Sequence, residues 1–260
     1  MMKKTILTLL SLTIGMSLFA QHYIQNGGFE AWENEGESEV EPVNWNSFRT
    51  ADGGASNFAP EDPIATKTTD AHSGNFAVKI ETVAGPFNIV VNGNLTLGRV
   101  HMGSTTPTNQ ENHNHTVPGN PTFSESIVNT PDSVIVWIKY TGVGDDSASI
   151  SAQVHDDFAF EFPEDMESQN HAIAYARKAF ATTAEWTRVS FPFEYTGLSM
   201  DDPAYILINL TSSAIPGGGE IGSTFYVDDI QLEYNELNIA DENVLPYSVH
   251  NTPEGIIVNM

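Results

Sequence analysis

The 260-residue chain carries 34 acidic against 10 basic side chains and no cysteine, for a net charge of -24. So acidic a surface repels phosphate backbones and anionic bilayers, which argues against nucleic-acid binding. Without cysteine there is no disulfide, no thiol nucleophile and no thiolate-bound zinc, so stability must come from a core or from an oxygen-ligated cation.

Residues 1–20 read as an export signal. Met1 to Lys4 supplies a short positive region, Thr5 to Leu18 an apolar stretch, and small Ala20 the cleavage position. The apolar run is too short and too rich in Ser and Thr to span a bilayer comfortably. The mature protein is therefore expected to be soluble and exported, whether to periplasm, cell surface or medium. Lys3 and Lys4 leave with the leader, and the remainder is more acidic still. One domain is expected over 21–235, followed by a tail over 236–260.

Glu33 to Glu41 has Glu at every second position and reads as a solvated loop. The recurring unit after it is a run of five to nine β-branched or aromatic residues closed by Gly, Pro, Asn or Asp. Strands are expected at Phe76 to Thr82, Phe87 to Asn92, Ser133 to Tyr140, Ala148 to Val154, Thr187 to Tyr195, Tyr205 to Leu210 and Thr224 to Tyr234. In Ser133 to Tyr140 both faces are mostly apolar, which predicts a central strand covered on both sides. Arg99 to Phe123, rich in His, Asn, Thr and Pro, reads as one long loop of the kind that carries binding function. His171 to Phe180 alternates Ile173, Tyr175 and Arg177 and reads as a strand, although its alanines also suit a helix. No long amphipathic helix emerges. The fold class is all-β, an antiparallel β-sandwich of jelly-roll type.

Asn26-Gly27-Gly28-Phe29-Glu30 near the mature N-terminus, Asp70-Ala71-His72-Ser73-Gly74-Asn75-Phe76, and Tyr226-Val227-Asp228-Asp229-Ile230 in the last strand form a trio. Together they resemble the calcium-containing β-sandwich carbohydrate-binding modules of the galactose-binding type. That resemblance implies a structural calcium held by the side chains of Glu30 and Asp228 and the main-chain oxygens of Gly28 and Phe76. Ser73 stands where relatives often have an acidic ligand. Calcium takes six to eight oxygen ligands, and carboxylates with carbonyls at Gly-rich bends supply them.

Six fragments in order narrow the resemblance. They are Asn26 to Trp32, Pro42-Val43-Asn44-Trp45, Asp70 to Ile80, Pro131 to Tyr140, Glu185 to Tyr195 and Gly222 to Asp229. The series is similar to the PCMD family, a carbohydrate metabolism domain of exported proteins from glycan-degrading bacteria, and implies a jelly roll and glycan handling. Ser248 to Val258 is similar to the opening of the type IX secretion sorting domain, in a truncated form, which implies that secretion machinery as a partner.

Sugars are bound by aromatic faces flanked by polar side chains. The expected glycan surface is a concave sheet face carrying Tyr175 and Arg177 and walled by the Arg99 to Phe123 segment, with Trp32 as a further contact. Trp45, Trp137 and Trp186 read as core. His113-Asn114-His115 offers two imidazoles to a transition metal, but spacing places no third ligand and a polar loop with fortuitous histidines is preferred. No serine elbow, phosphate loop or HExxH motif is present. A non-catalytic polysaccharide- or oligosaccharide-binding protein is therefore expected. The alternatives are a jelly-roll lyase or hydrolase, the former using His171, Tyr175 and Arg177, or an adhesion component.

Overall fold

The computed structural model describes residues 23–36, 40–60, 63–86, 89–199, 201–234, 248–252 and 255–259. The expected export signal, residues 37–39 of the acidic run, residues 87–88 of the expected strand Phe87 to Asn92, and residues 235–247, 253–254 and 260 of the tail lie outside the described residues. In chain order the principal strands are β1 (Ala65–Thr68), β2 (Ala77–Glu81), β3 (Asn94–Thr96), β4 (Arg99–Met102), β5 (Asn112–His115), β6 (Glu125–Ser126) and β7 (Ser133–Thr141). There follow β8 (Ala148–His155), β9 (Glu161–Phe162), β10 (Ala172–Phe180), β11 (Thr183–Pro192), β12 (Glu194–Tyr195), β13 (Tyr205–Thr211) and β14 (Thr224–Glu233). Within the tail, Ser248–Thr252 pairs with Gly255–Asn259 as a hairpin.

Two antiparallel sheets make the body. One runs β11-β7-β14-β2-β1; the other runs β6-β13-β8-β10-β12, with β3 also paired to β13. Side chains alternate across a strand, so Val134, Val136, Ile138 and Tyr140 of β7 point one way. They meet Ile150, Ala152 and Val154 of β8 and Ile206, Ile208 and Leu210 of β13 in one buried cluster. Phe225 sits within it, its ring 5.8 Å from Phe180 and 5.9 Å from Tyr140. Phe29 and Trp45 close one end at 5.2 Å, both without exposure. The fold is an antiparallel β-sandwich.

Three local expectations are corrected. Ile135, Trp137 and Lys139 of β7 are half-buried rather than covered by another layer. Their neighbours shield them instead: the His72 ring stacks on Trp137 at 3.6 Å, and Lys139 lies 4.5 Å from the centre of the Tyr226 ring and 5.5 Å from that of Trp186. Arg99 to Phe123 is not one loop, because β4 and β5 pair as a hairpin and β9 adds a third strand, in the order β9-β5-β4. Glu41, read as part of a solvated loop, is buried; its carboxylate accepts from the Ser47 amide at 2.5 Å and the Thr50 hydroxyl at 3.0 Å.

His155 at the end of β8 is wholly buried. Its Nδ1 donates to the Asp156 carbonyl at 2.8 Å, so Nε2 is the unprotonated nitrogen and accepts from Thr116 Oγ1 at 2.9 Å. Burial pushes its pKa down to about 4. The unfolded chain therefore takes up this proton first as pH falls, so the stability is complete above about pH 6.5 and lost towards pH 4. Urea unfolding should show a loss of up to about 3 kcal/mol across that window, removed in His155→Gln. Phe225→Ala should cost about 3–5 kcal/mol at pH 7 by the same measurement.

Candidate functional site

Two constructions stand out, a clamped loop at one edge of the first sheet and a groove over the second.

The clamp begins with the bend at residues 24–30. Asn26 takes φ 51°, and its side chain donates to the Ala31 and Val43 carbonyls at 2.9 and 3.0 Å while accepting from the Ala31 amide at 3.0 Å. This lays the segment against β14, where the Ile230 amide donates to the Gly27 carbonyl at 2.9 Å. A Cβ on Gly27 would fall 2.4 Å from the Ile230 carbonyl oxygen, so only glycine permits the approach.

Two carboxylates then grip the 72–76 loop from either side. Asp228 accepts from the amides of His72 and Ser73 at 2.9 and 3.1 Å and from the Asp229 amide at 2.8 Å. Glu30 Oε1 accepts from the amides of Asn75 and Phe76 at 2.8 and 3.0 Å, and Oε2 from the Asn75 side chain at 3.3 Å. Those contacts hold the Glu30 carboxyl below its ordinary range, the Phe76 amide contributing most. Asp228 goes the other way. Burial, with Asp229 beside it, pushes it up to about 6 against the pull of its amide partners.

Of the predicted metal residues, Glu30, Ser73, Phe76 and Asp228 meet in this clamp. Gly28 faces the Asp228 and Asp229 carboxylates, its Cβ direction meeting them at 3.9 and 3.4 Å. Sequence reasoning missed Asp229 and His72. Asp229 accepts from Ser73 Oγ at 3.0 Å and meets His72 Nδ1 at 2.7 Å. Among the described residues His72, Asp228 and Asp229 are the group whose ligand atoms lie within 4.8 Å of one another. The signal for Asp229 was its adjacency to Asp228; nothing in spacing marked His72. The donors are mainly hard oxygens, and of about four lone-pair sites on each carboxylate three are taken on Asp228 and two on Asp229. The set fits an oxygen-seeking divalent cation. Trp32 lies at this end too, its Nε1 donating to the Phe29 carbonyl at 2.7 Å and its ring 5.8 Å from Lys67 Nζ.

The groove lies on the outward face of the second sheet and encloses about 1370 Å³. Ser151, Arg177, Asn209 and Thr211 line its floor, and the β4–β5 hairpin and residues 161–167 its walls. Asn209 is 2% exposed and fully used. Its amide donates to Ser151 Oγ and Gln153 Oε1 at 3.3 and 3.1 Å, and its oxygen accepts from Thr96 and Asn114 at 2.8 and 2.7 Å. Arg177 reaches into the groove, pairs with Glu164, and lies 5.1 and 4.6 Å from the Phe162 and Tyr175 ring centres. Tyr175 supports Arg177 from beside the Phe160, Ala172 and Leu207 cluster rather than lining the groove.

His171 is separate from Arg177. It closes the short helix Ser168–His171, stacks on Phe158 at 4.0 Å and meets the Asp156 carboxylate at 2.9 Å. The helical turn rotates it out of the alternation of β10, so His171, Tyr175 and Arg177 do not form one site. Trp45 is core, as expected; Trp137 and Trp186 are half-buried on the outer face of the first sheet.

No family model matches the chain, and no curated protein matches it. A solved structure from Bacteroides thetaiotaomicron, described as a putative glycoside hydrolase, superposes with a TM-score of 0.61 at 20% identity, over 84% of this chain and 72% of its own. The likeness is one of fold. A protein of Bacteroides vulgatus under the same description gives a TM-score of 0.47 at 15% identity, over 66% and 78%. A carbohydrate-binding module in complex with β-1,4-galactotriose gives 0.39 at 13%, over 83% and 100%. Neither of these two is close enough to carry an argument.

Removing the Glu30 carboxylate leaves the amides of Asn75 and Phe76 without their acceptor. In Glu30→Ala, hydrogen exchange at those two amides should accelerate at least about tenfold, a hydrogen bond to a charged group contributing roughly 1.5–3 kcal/mol. The core amides of β7 should be slowed or quickened only by the global change in stability.

Proposed function

We propose that the chain is an exported glycan-binding β-sandwich of the PCMD type, with its ligand in the groove and a structural calcium in the clamp. The groove carries the reading. It is open, offers Phe48, Phe58 and Phe162 as stacking faces, and sets Arg177 and the exposed Gln110 and Gln169 side chains beside them. That mixture of flat apolar faces and fixed polar groups matches a pyranose, whose faces are rich in C–H and whose edges carry hydroxyls. The description of the Bacteroides thetaiotaomicron structure as a putative glycoside hydrolase points the same way.

Binding is preferred to turnover on one specific ground. The lyase set of His171, Tyr175 and Arg177 is divided, with His171 committed to Asp156 and Arg177 to Glu164. Retention on a glycan array without reducing-sugar or unsaturated product in solution supports a binding protein; product release overturns it in favour of an enzyme. Arg177→Ala and Phe58→Ala should each weaken retention several-fold while leaving the melting temperature unchanged, and unaltered affinity in both would remove the groove as the site.

Calcium in the clamp rests on the oxygen-rich donor set and on the buried Asp228 carboxylate, whose charge a cation would offset. Calcium at a hundredfold above its dissociation constant should stabilise the protein by about 2.7 kcal/mol, which raises the melting temperature by roughly 5–10 °C at this chain length. Chelator should abolish the shift, and Asp228→Asn should be insensitive to both. Equal melting temperatures with calcium and with chelator would exclude the site.

A further inference from the structure

The hairpin that walls the groove carries a cluster the glycan reading does not use. β4 and β5 pair with His101 opposite His113 and Arg99 opposite His115, and β9 sets Glu161 opposite His115. Opposed residues, and residues two apart on a strand, share a face. All five side chains therefore crowd one side of the small sheet. Asp52 joins them through its bridge to His101. The ring centres lie 4.7 Å apart for His101 and His113, 5.6 Å for His113 and His115, and 6.1 Å for His101 and His115. Three imidazoles on one ion, with metal–nitrogen bonds of about 2.0–2.1 Å, have ring centres on the order of 5 Å apart.

We propose that His101, His113 and His115 form a transition-metal site of the zinc, nickel or copper class on the groove wall, with Glu161 completing it. The surroundings are those such a site requires. Asp52 holds His101 Nδ1 at 2.6 Å and is itself held by Arg99 at 3.1 Å, which leaves Nε2 as the ligand atom. This is the carboxylate-to-histidine support that metal-bound imidazoles usually have. The Nδ1 atoms of His113 and His115 are buried and have no hydrogen-bond partner. Glu161 lies 3.5 Å from His113 Nε2. The His101 and His113 rings are stacked at 13°, so their nitrogens do not yet converge. Rotation of His113 about χ2, which is broad and roughly two-fold for histidine, brings it towards His101 while Asp52 keeps its hold on His101.

The test is zinc titration of the untagged protein by calorimetry and metal analysis, with calcium in excess so that the clamp is filled. One zinc per chain is expected, unchanged in His72→Gln, and at least tenfold weaker in His113→Gln, in the more exposed His101→Gln and in the supporting variant Asp52→Asn. Circular dichroism melting confirms that each variant is folded. Absence of stoichiometric zinc overturns the proposal. So does zinc that survives both His101→Gln and His113→Gln, or that is lost in His72→Gln alone, since the ion would then sit in the clamp.

Discussion

The buried amide of Asn209 is the constraint on which the groove side of the molecule depends. It is the point where β3, β5, β8 and β13 are joined by side chains rather than by ladder hydrogen bonds. Its four bonds use every donor and acceptor site of the side chain, and an unpaired buried amide costs far more than a paired one contributes. Register follows from this. A slip of β5 by one residue would withdraw Asn114 and present an imidazole to the amide cluster instead. The hairpin is thus held at one height above the sheet, and the depth of the groove with it.

The opposite edge is organised by charge rather than by amides. Glu30 and Asp228 approach the 72–76 loop from different segments, and each holds two successive main-chain amides. Gly74 between them leaves no room for a side chain, since a Cβ there would meet Glu30 Oε1 at 2.1 Å. The two carboxylates shift in opposite directions because only one is buried. Exposure lets Glu30 keep the benefit of its donors, while the dry setting of Asp228 outweighs a similar set of bonds.

Much of the sandwich was legible. Strands such as Ser133–Thr141 and Ala148–His155 announce themselves because one face must be apolar to meet the other sheet. The Asn26 and Asp228 segments were legible as partners only through resemblance, since nothing local tells that residues so far apart in the chain touch. Asn112–His115 was illegible as a strand: its inward face packs on amides, so no apolar alternation betrays it. With that strand unseen, His101 could not be placed across from His113. His171 was misplaced by one residue, because a single helical turn ends where the alternation begins. Arg177 was legible as a groove residue, whereas Tyr175 shares its face but stands behind it.

The strand order also bears on how the chain reaches this state. β14 pairs with β7 and β2, and Asp228 closes on the 72–76 loop across a separation of 155 or more residues. Such contacts repay the entropy of closing a long stretch of chain only after it has been spent. Folding dominated by them falls in the millisecond-to-second range, with sheet edges exposed meanwhile. Until β14 docks, the first sheet lacks its middle strand and β7 presents an open edge rich in Val and Ile. Repulsion between chains of net charge -24 opposes pairing through such an open edge.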